Sequence, residues 1–68
     1  MRQVIIYTDE DGYFIAECPS LPGCNSQGKT REEALANIKG AIEGYIEVLR
    51  ESGRAIPEEN REVVMVDV

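Results

Sequence analysis

A two-layer α+β domain is the fold class that this sequence predicts, and three observations carry it. Two β-branched and aromatic runs, Val4 to Thr8 and Tyr13 to Cys18, flank an Asp11-Gly12 pair, the pattern of a β-hairpin. The stretch from Arg31 to about Ser52 repeats its apolar residues at helical spacing. The chain has 68 residues, room for one domain and little more, so residues 1–68 are expected to form a single unit.

The elements follow in order. Val4 to Thr8 is the first strand. Asp9-Glu10-Asp11-Gly12 turns the chain, and Tyr13 to Cys18 returns with Phe14, Ala16 and Cys18 on one face and Tyr13, Ile15 and Glu17 on the other. Pro19-Ser20-Leu21-Pro22-Gly23 interrupts the sheet, because proline donates no ladder hydrogen bond. Cys24 to Gln27 is long enough for a short third strand that ends at Gly28. Thr30-Arg31-Glu32-Glu33 matches a capping box, in which the threonine oxygen accepts the N–H three residues on and the glutamate reaches back. The helix that follows carries Leu35, Ile38, Ile42, Tyr45, Ile46 and Leu49 on one stripe, and Gly53 is placed to stop it. After Pro57, Val63 to Val68 reads as a last strand. The expected order is β-β-β-α-β: an antiparallel sheet with one long helix packed on one face.

One helix shields one face of a sheet. Yet Val4 and Ile6 point opposite to Ile5 and Tyr7, and Val64 and Val66 opposite to Val63 and Met65. Both faces are apolar, so a homo-oligomer, dimer or tetramer, is expected to cover the second one. Its candidate contacts are Ile5, Tyr7, Tyr13 and Ile15. A second candidate strip is Gly40, Gly44 and Val48, set opposite the core stripe and flanked by Asn37 and Ala41. Small residues there permit close approach of another element, although glycines on a solvated face are an equal explanation.

Composition excludes several functions. Thirteen acids against seven bases give a net charge of −6, which disfavours phosphate neutralisation and hence sequence-independent nucleic-acid binding. A basic protein partner is electrostatically easier to accept. Histidine is absent, which removes the commonest general base and metal ligand. Cys18 and Cys24 are too few for a disulfide framework and lack metal-site spacing; as buried, reduced thiols they fit a cytoplasmic protein. Neither a secretory signal nor a membrane span is expected. The acids Asp9, Glu10 and Asp11 lack the ligand spacing of a calcium loop and read as a solvated turn. Ser20, Ser26 and Thr30 have no base to activate them, and Gly23 and Gly28 match no phosphate loop. No catalytic residue, cofactor site or metal site is expected, and the chain does not read as an enzyme.

From Asp11 to Cys24 the sequence runs Asp-Gly-Tyr-Phe-Ile-Ala-Glu-Cys-Pro-Ser-Leu-Pro-Gly-Cys, followed by Gln27-Gly28-Lys29-Thr30 and Glu32-Glu33-Ala34-Leu35. This combination resembles the HicB-like antitoxin family, in its single-domain UPF0150-type form. The resemblance spans nearly the whole chain, and its motif positions are Gly12, Tyr13, Pro19, Leu21, Pro22, Gly23, Gly28, Thr30, Glu33 and Ala34. It implies a degenerate RNase H-like fold without the nuclease site, and a non-enzymatic antitoxin that binds and neutralises a small basic RNA-cleaving toxin. An orphan relative without a toxin is the other form it allows. No ribbon-helix-helix or helix-turn-helix segment follows the last expected strand, so a separate DNA-binding domain and operator binding by this chain are not expected. Two other classes remain to be separated by experiment: an oligomeric ligand-binding or regulatory module with an inter-subunit pocket, and a residual metal-dependent nuclease.

Overall fold

In the computed structural model, which describes residues 1–60 and 62–68, the hairpin is organised by Asp9. Its carboxylate oxygen Oδ1 accepts the backbone N–H groups of Asp11 and Tyr13, both at 2.9 Å. The Gly12 N–H donates to the Asp9 carbonyl and the Asp9 N–H to the Tyr13 carbonyl. With Gly12 at φ 85°, this is a three-residue hairpin loop that ends on a left-handed residue. It joins β1 (Ile5–Thr8) to β2 (Phe14–Glu17), with Ile6 opposite Ala16 and Tyr7 opposite Ile15.

Two consecutive turns then fold the β2–β3 connection inward. The Leu21 N–H donates to the Cys18 carbonyl and the Cys24 N–H to the Leu21 carbonyl, each at 3.0 Å. In the second turn Pro22 supplies a fixed φ and Gly23, at φ 78°, the position that side chains disfavour. The Cys18 N–H bonds back to the Cys24 carbonyl and closes the loop at its base. Leu21 is thereby driven into the interior, where it is 1% exposed and among the largest fully buried side chains described.

Strand β3 (Asn25–Gly28) pairs antiparallel with β2, giving the sheet order β1-β2-β3. Helix α1 (Arg31–Glu51) follows, and both its ends are capped as the sequence predicts. Thr30 Oγ1 accepts the Glu33 N–H, while Glu33 Oε1 accepts the Lys29 N–H, one residue earlier than in the standard reciprocal box. At the other end the Gly53 N–H reaches the Arg50 carbonyl and the Arg54 N–H the Leu49 carbonyl, the two bonds of a Schellman stop. The expected α+β arrangement of three antiparallel strands and one long helix is present.

The core comprises Ala16, Cys18, Leu21, Cys24, Ala34 and Ile38, with Val4, Ile6, Phe14, Ala41, Ile42, Tyr45 and Ile46 packed around it. Gly28 permits the helix to come this close: a Cβ there would lie 2.6 Å from the Ala34 nitrogen and 2.8 Å from the Glu33 Cβ. The helix packs on β3 and β2, and β1 lies at the margin of its footprint. Asn37 and Ala41, set opposite the core by periodicity alone, turn toward the protein. Asn37 Nδ2 donates to the Gln27 carbonyl at 2.8 Å, and Ala41 packs against the core.

The last expected strand does not form. Residues 62–68 carry no strand, and Val63, Val64, Met65, Val66 and Val68 are all exposed, Met65 at 92%. A strand apolar on both faces gains full burial only between two layers. This chain offers one helical layer, already laid over β2 and β3.

Candidate functional site

The residues expected to form contacts separate into two groups on different sides of the molecule. Ile5, Tyr7 and Ile15 share the sheet face turned away from α1, since Ile5 pairs with Glu17 and Tyr7 with Ile15, out of phase with the buried Ala16, and Tyr13 lies just before β2. Ile5 and Tyr7 are each 46% exposed, Tyr13 is exposed and Ile15 half-buried. The face grades from apolar on β1 and β2 to polar on β3, where Asn25 and Gln27 stand in the same rows. Glu17, which sequence reasoning left without a role, accepts the Tyr7 hydroxyl at 2.7 Å across the strand pair. That hydrogen bond to a carboxylate, with slight desolvation and the adjacent negative charge, raises the Tyr7 pKa above the usual phenol value.

Gly40, Gly44 and Val48 belong to the other group, on the flank of α1. Both glycines face open space, and Val48 is exposed. Gly44 and Val48 line a cleft of about 440 Å³ together with Cys24, Ala41 and Tyr45. The structure does not bring this strip together with the outer sheet face.

The motif positions have structural employment. Gly12 and Gly23 close turns, Pro19 and Pro22 stiffen the β2–β3 loop, and Leu21 and Ala34 fill the core. Thr30 and Glu33 cap the helix, and Gly28 lets it approach. Tyr13 contributes its N–H to the Asp9 carboxylate.

Sequence reasoning missed a small polar network at the loop. Arg2 Nη1 donates to Ser20 Oγ at 3.1 Å, and Ser20 Oγ donates to Glu59 Oε1 at 2.7 Å. It ties the chain's start and the segment after the helix to the same buried serine. Tyr45 adds a second tie, donating its hydroxyl to the Pro22 carbonyl at 2.9 Å. Only the exact loop fold brings these residues together, so no spacing in the chain announces them.

The two cysteines are free and buried at the base of this loop. Burial pushes the Cys24 thiol above its ordinary value, and the neighbouring Cys18 adds to the shift. A thiol held neutral in the core in this way is a poor nucleophile. Among the described residues, no group of three or more Cys, Asp and Glu side chains is placed to hold a metal ion, and no helix is long and apolar enough to cross a membrane.

Fold and surface together define a small α+β domain whose motif residues build the scaffold and whose open features are sheet face, edge and cleft. The model of the family described as the HicB-like antitoxin of bacterial toxin–antitoxin systems matches residues 3–67, and the chain belongs to that family. It is similar to a UPF0150 protein of Thermoplasma acidophilum, 54% identical over 63 residues that cover 93% of this chain and 91% of the relative. A UPF0150 protein of Archaeoglobus fulgidus is 49% identical over 66% of this chain and 65% of its own length. One from Helicobacter pylori is 62% identical over 62% of this chain and 57% of its own length. No solved structure matches the chain at a significant level.

Proposed function

We propose that the chain is a non-enzymatic antitoxin that acts in the cytoplasm by binding a small, basic, RNA-cleaving toxin and blocking it. The family match over residues 3–67 carries this reading. Charge supports it: at −6 net, the chain attracts a basic partner and speeds productive encounter. Candidate docking acids are Asp9, Glu10 and Asp11 at the hairpin and Glu58, Glu59 and Glu62 after the helix.

The test is co-expression of tagged chain with any small basic protein that an adjacent reading frame encodes. A stable complex that associates more slowly as salt rises, together with rescue of arrested growth, is the expected result. Failure to co-purify and failure to rescue would overturn the reading.

Self-association forms part of the same proposal, because no element among the described residues covers the outer sheet face. A second reading, a regulatory module with an inter-subunit ligand pocket, draws on the open cleft beside Gly44 and Tyr45. A small molecule retained in native mass spectrometry, and lost on Gly44→Trp substitution, would favour it.

A further inference from the structure

We propose that Cys18 and Cys24 are a redox modification site: hydrogen peroxide closes them into an intrachain disulfide that staples the β2–β3 loop at its base. This goes beyond the antitoxin reading and needs no partner protein.

Register puts the two side chains together. β2 and β3 pair Phe14 with Gly28 and Glu17 with Asn25, so the next rung outward sets Cys18 opposite Cys24. The bond from the Cys18 N–H to the Cys24 carbonyl, at 3.0 Å, lies on that rung. Directly opposed residues share a face of the sheet, and both cysteines enter the core beside Ala16 and Leu21. Opposed residues on a hydrogen-bonded rung sit about 5.5 Å apart at Cα, inside the range of about 4.4–6.8 Å that a disulfide spans. The rung also has room to adjust. Its second cross-strand bond is not made, because the Cys24 N–H donates to the Leu21 carbonyl instead. The chain has no third cysteine to compete.

The reduced pair is a defined state of its own. Cys18 Sγ lies 3.6 Å from Ser20 Oγ. A serine hydroxyl carries one hydrogen, and Ser20 gives it to Glu59, so the Cys18 S–H is the donor. Cys18 therefore has two alternative partners, Ser20 as a thiol and Cys24 as a disulfide.

Access assigns the roles. Cys24 is 5% exposed and Cys18 2%. Cys24 lines the cleft of about 440 Å³ beside Gly44 and Tyr45, and both cysteines line a smaller one of about 240 Å³ at the loop's base. Hydrogen peroxide, little larger than water, enters such clefts. The Cys24 sulfur attacks one peroxide oxygen: an S–O bond forms, the O–O bond breaks, and the other oxygen leaves as water with the Cys24 proton. The Cys18 sulfur then attacks the Cys24 sulfur: the S–S bond forms, the S–O bond breaks, and the hydroxyl leaves as a second water with the Cys18 proton. Two electrons pass from the thiol pair to one peroxide. Burial holds the Cys24 thiol neutral and makes the first step slow, so the site answers sustained oxidant. The second step is fast, because the opposed thiol is already in place and traps the sulfenic acid before further oxidation. Residues 18–24 then form one covalent ring around the two turns that bury Leu21, and the cross-link removes freedom from the unfolded chain.

The test treats the folded chain with hydrogen peroxide, unfolds it, caps free thiols with N-ethylmaleimide and weighs it. The expected product is a single chain lighter by two hydrogens, uncapped, with a bond that fragmentation places between Cys18 and Cys24 and that dithiothreitol reverses. The oxidised chain should melt above the reduced one. Cys18→Ala should show no loss of two hydrogens and should gain oxygen at Cys24; the melting comparison uses the unaltered chain and holds whether or not that variant folds. Capping of both cysteines after peroxide, sulfinic acid on Cys24 of the unaltered chain, or bonds formed only between chains overturns the site. An oxidised chain that melts no higher than the reduced one overturns the staple.

Discussion

Strands β1 and β3 are the two edges of one sheet, each four residues long, and they are finished in different ways. β3 carries Asn25, Ser26 and Gln27, accepts a side-chain hydrogen bond from Asn37, and ends on a glycine pressed against the start of α1. The loop that leads into it is folded around Leu21 and pinned by Tyr45. β1 is apolar, partly exposed, and beside an open cleft. The difference shows that the helix settles over the β2–β3 side of the sheet and leaves the β1 edge open among the described residues. Polar residues and a capped carbonyl blunt an edge, whereas β-branched residues invite pairing.

The most damaging way to break the closed side is Leu21→Ala. Removing a side chain so fully enclosed should cost about 3 kcal/mol, a large fraction of what a small domain has. Urea denaturation followed by circular dichroism would measure it.

A pair of identical substitutions sharpens the contrast between tight and open sites. Gly28→Ala drives a Cβ against the Glu33 and Ala34 backbone and should destabilise by about 2 kcal/mol. Gly44→Ala meets nothing within 4 Å and should stabilise the fold by up to about 1 kcal/mol, because alanine is the better helix former. Melting both variants beside the parent chain tests the opposite signs. A loss of oligomer with Gly44→Ala would instead place the helix flank in an interface.

The smallest effect on the fold is expected on the open side. Ile5→Lys puts a charge on a half-exposed edge position and should change the stability of the isolated chain by no more than about 0.5 kcal/mol. Its signature should be loss of self-association in sedimentation, since an edge lysine discourages strand pairing.

Legibility in the sequence followed the range of the interaction. The hairpin at Gly12, the turn at Pro22-Gly23 and the cap at Thr30 each depend on residues within four positions of one another, so their chemistry is written locally. The candidate surface was half legible. Strand alternation put Ile5, Tyr7 and Ile15 in one row, as the strand register does, but helical periodicity misplaced Asn37 and Ala41, because the width of the helix's buried side depends on which strands it meets. The polar ties among Arg2, Ser20 and Glu59 join residues up to 57 positions apart through bonds of 18 and 39, and no local pattern encodes them.

The sequence on its own settled the strand and helix order through α1, the turns, both helix ends, the net charge of −6 and the family's motif positions, because propensity, capping and alternation act over a few residues. Tertiary structure alone decided three things: that Leu21 leaves its loop for the core, that the helix lies over β2 and β3, and that residues 62–68 stay out of the sheet. Each is a choice among surfaces to bury, and hydrophobic burial has no direction until the packed layers define which surfaces are within reach.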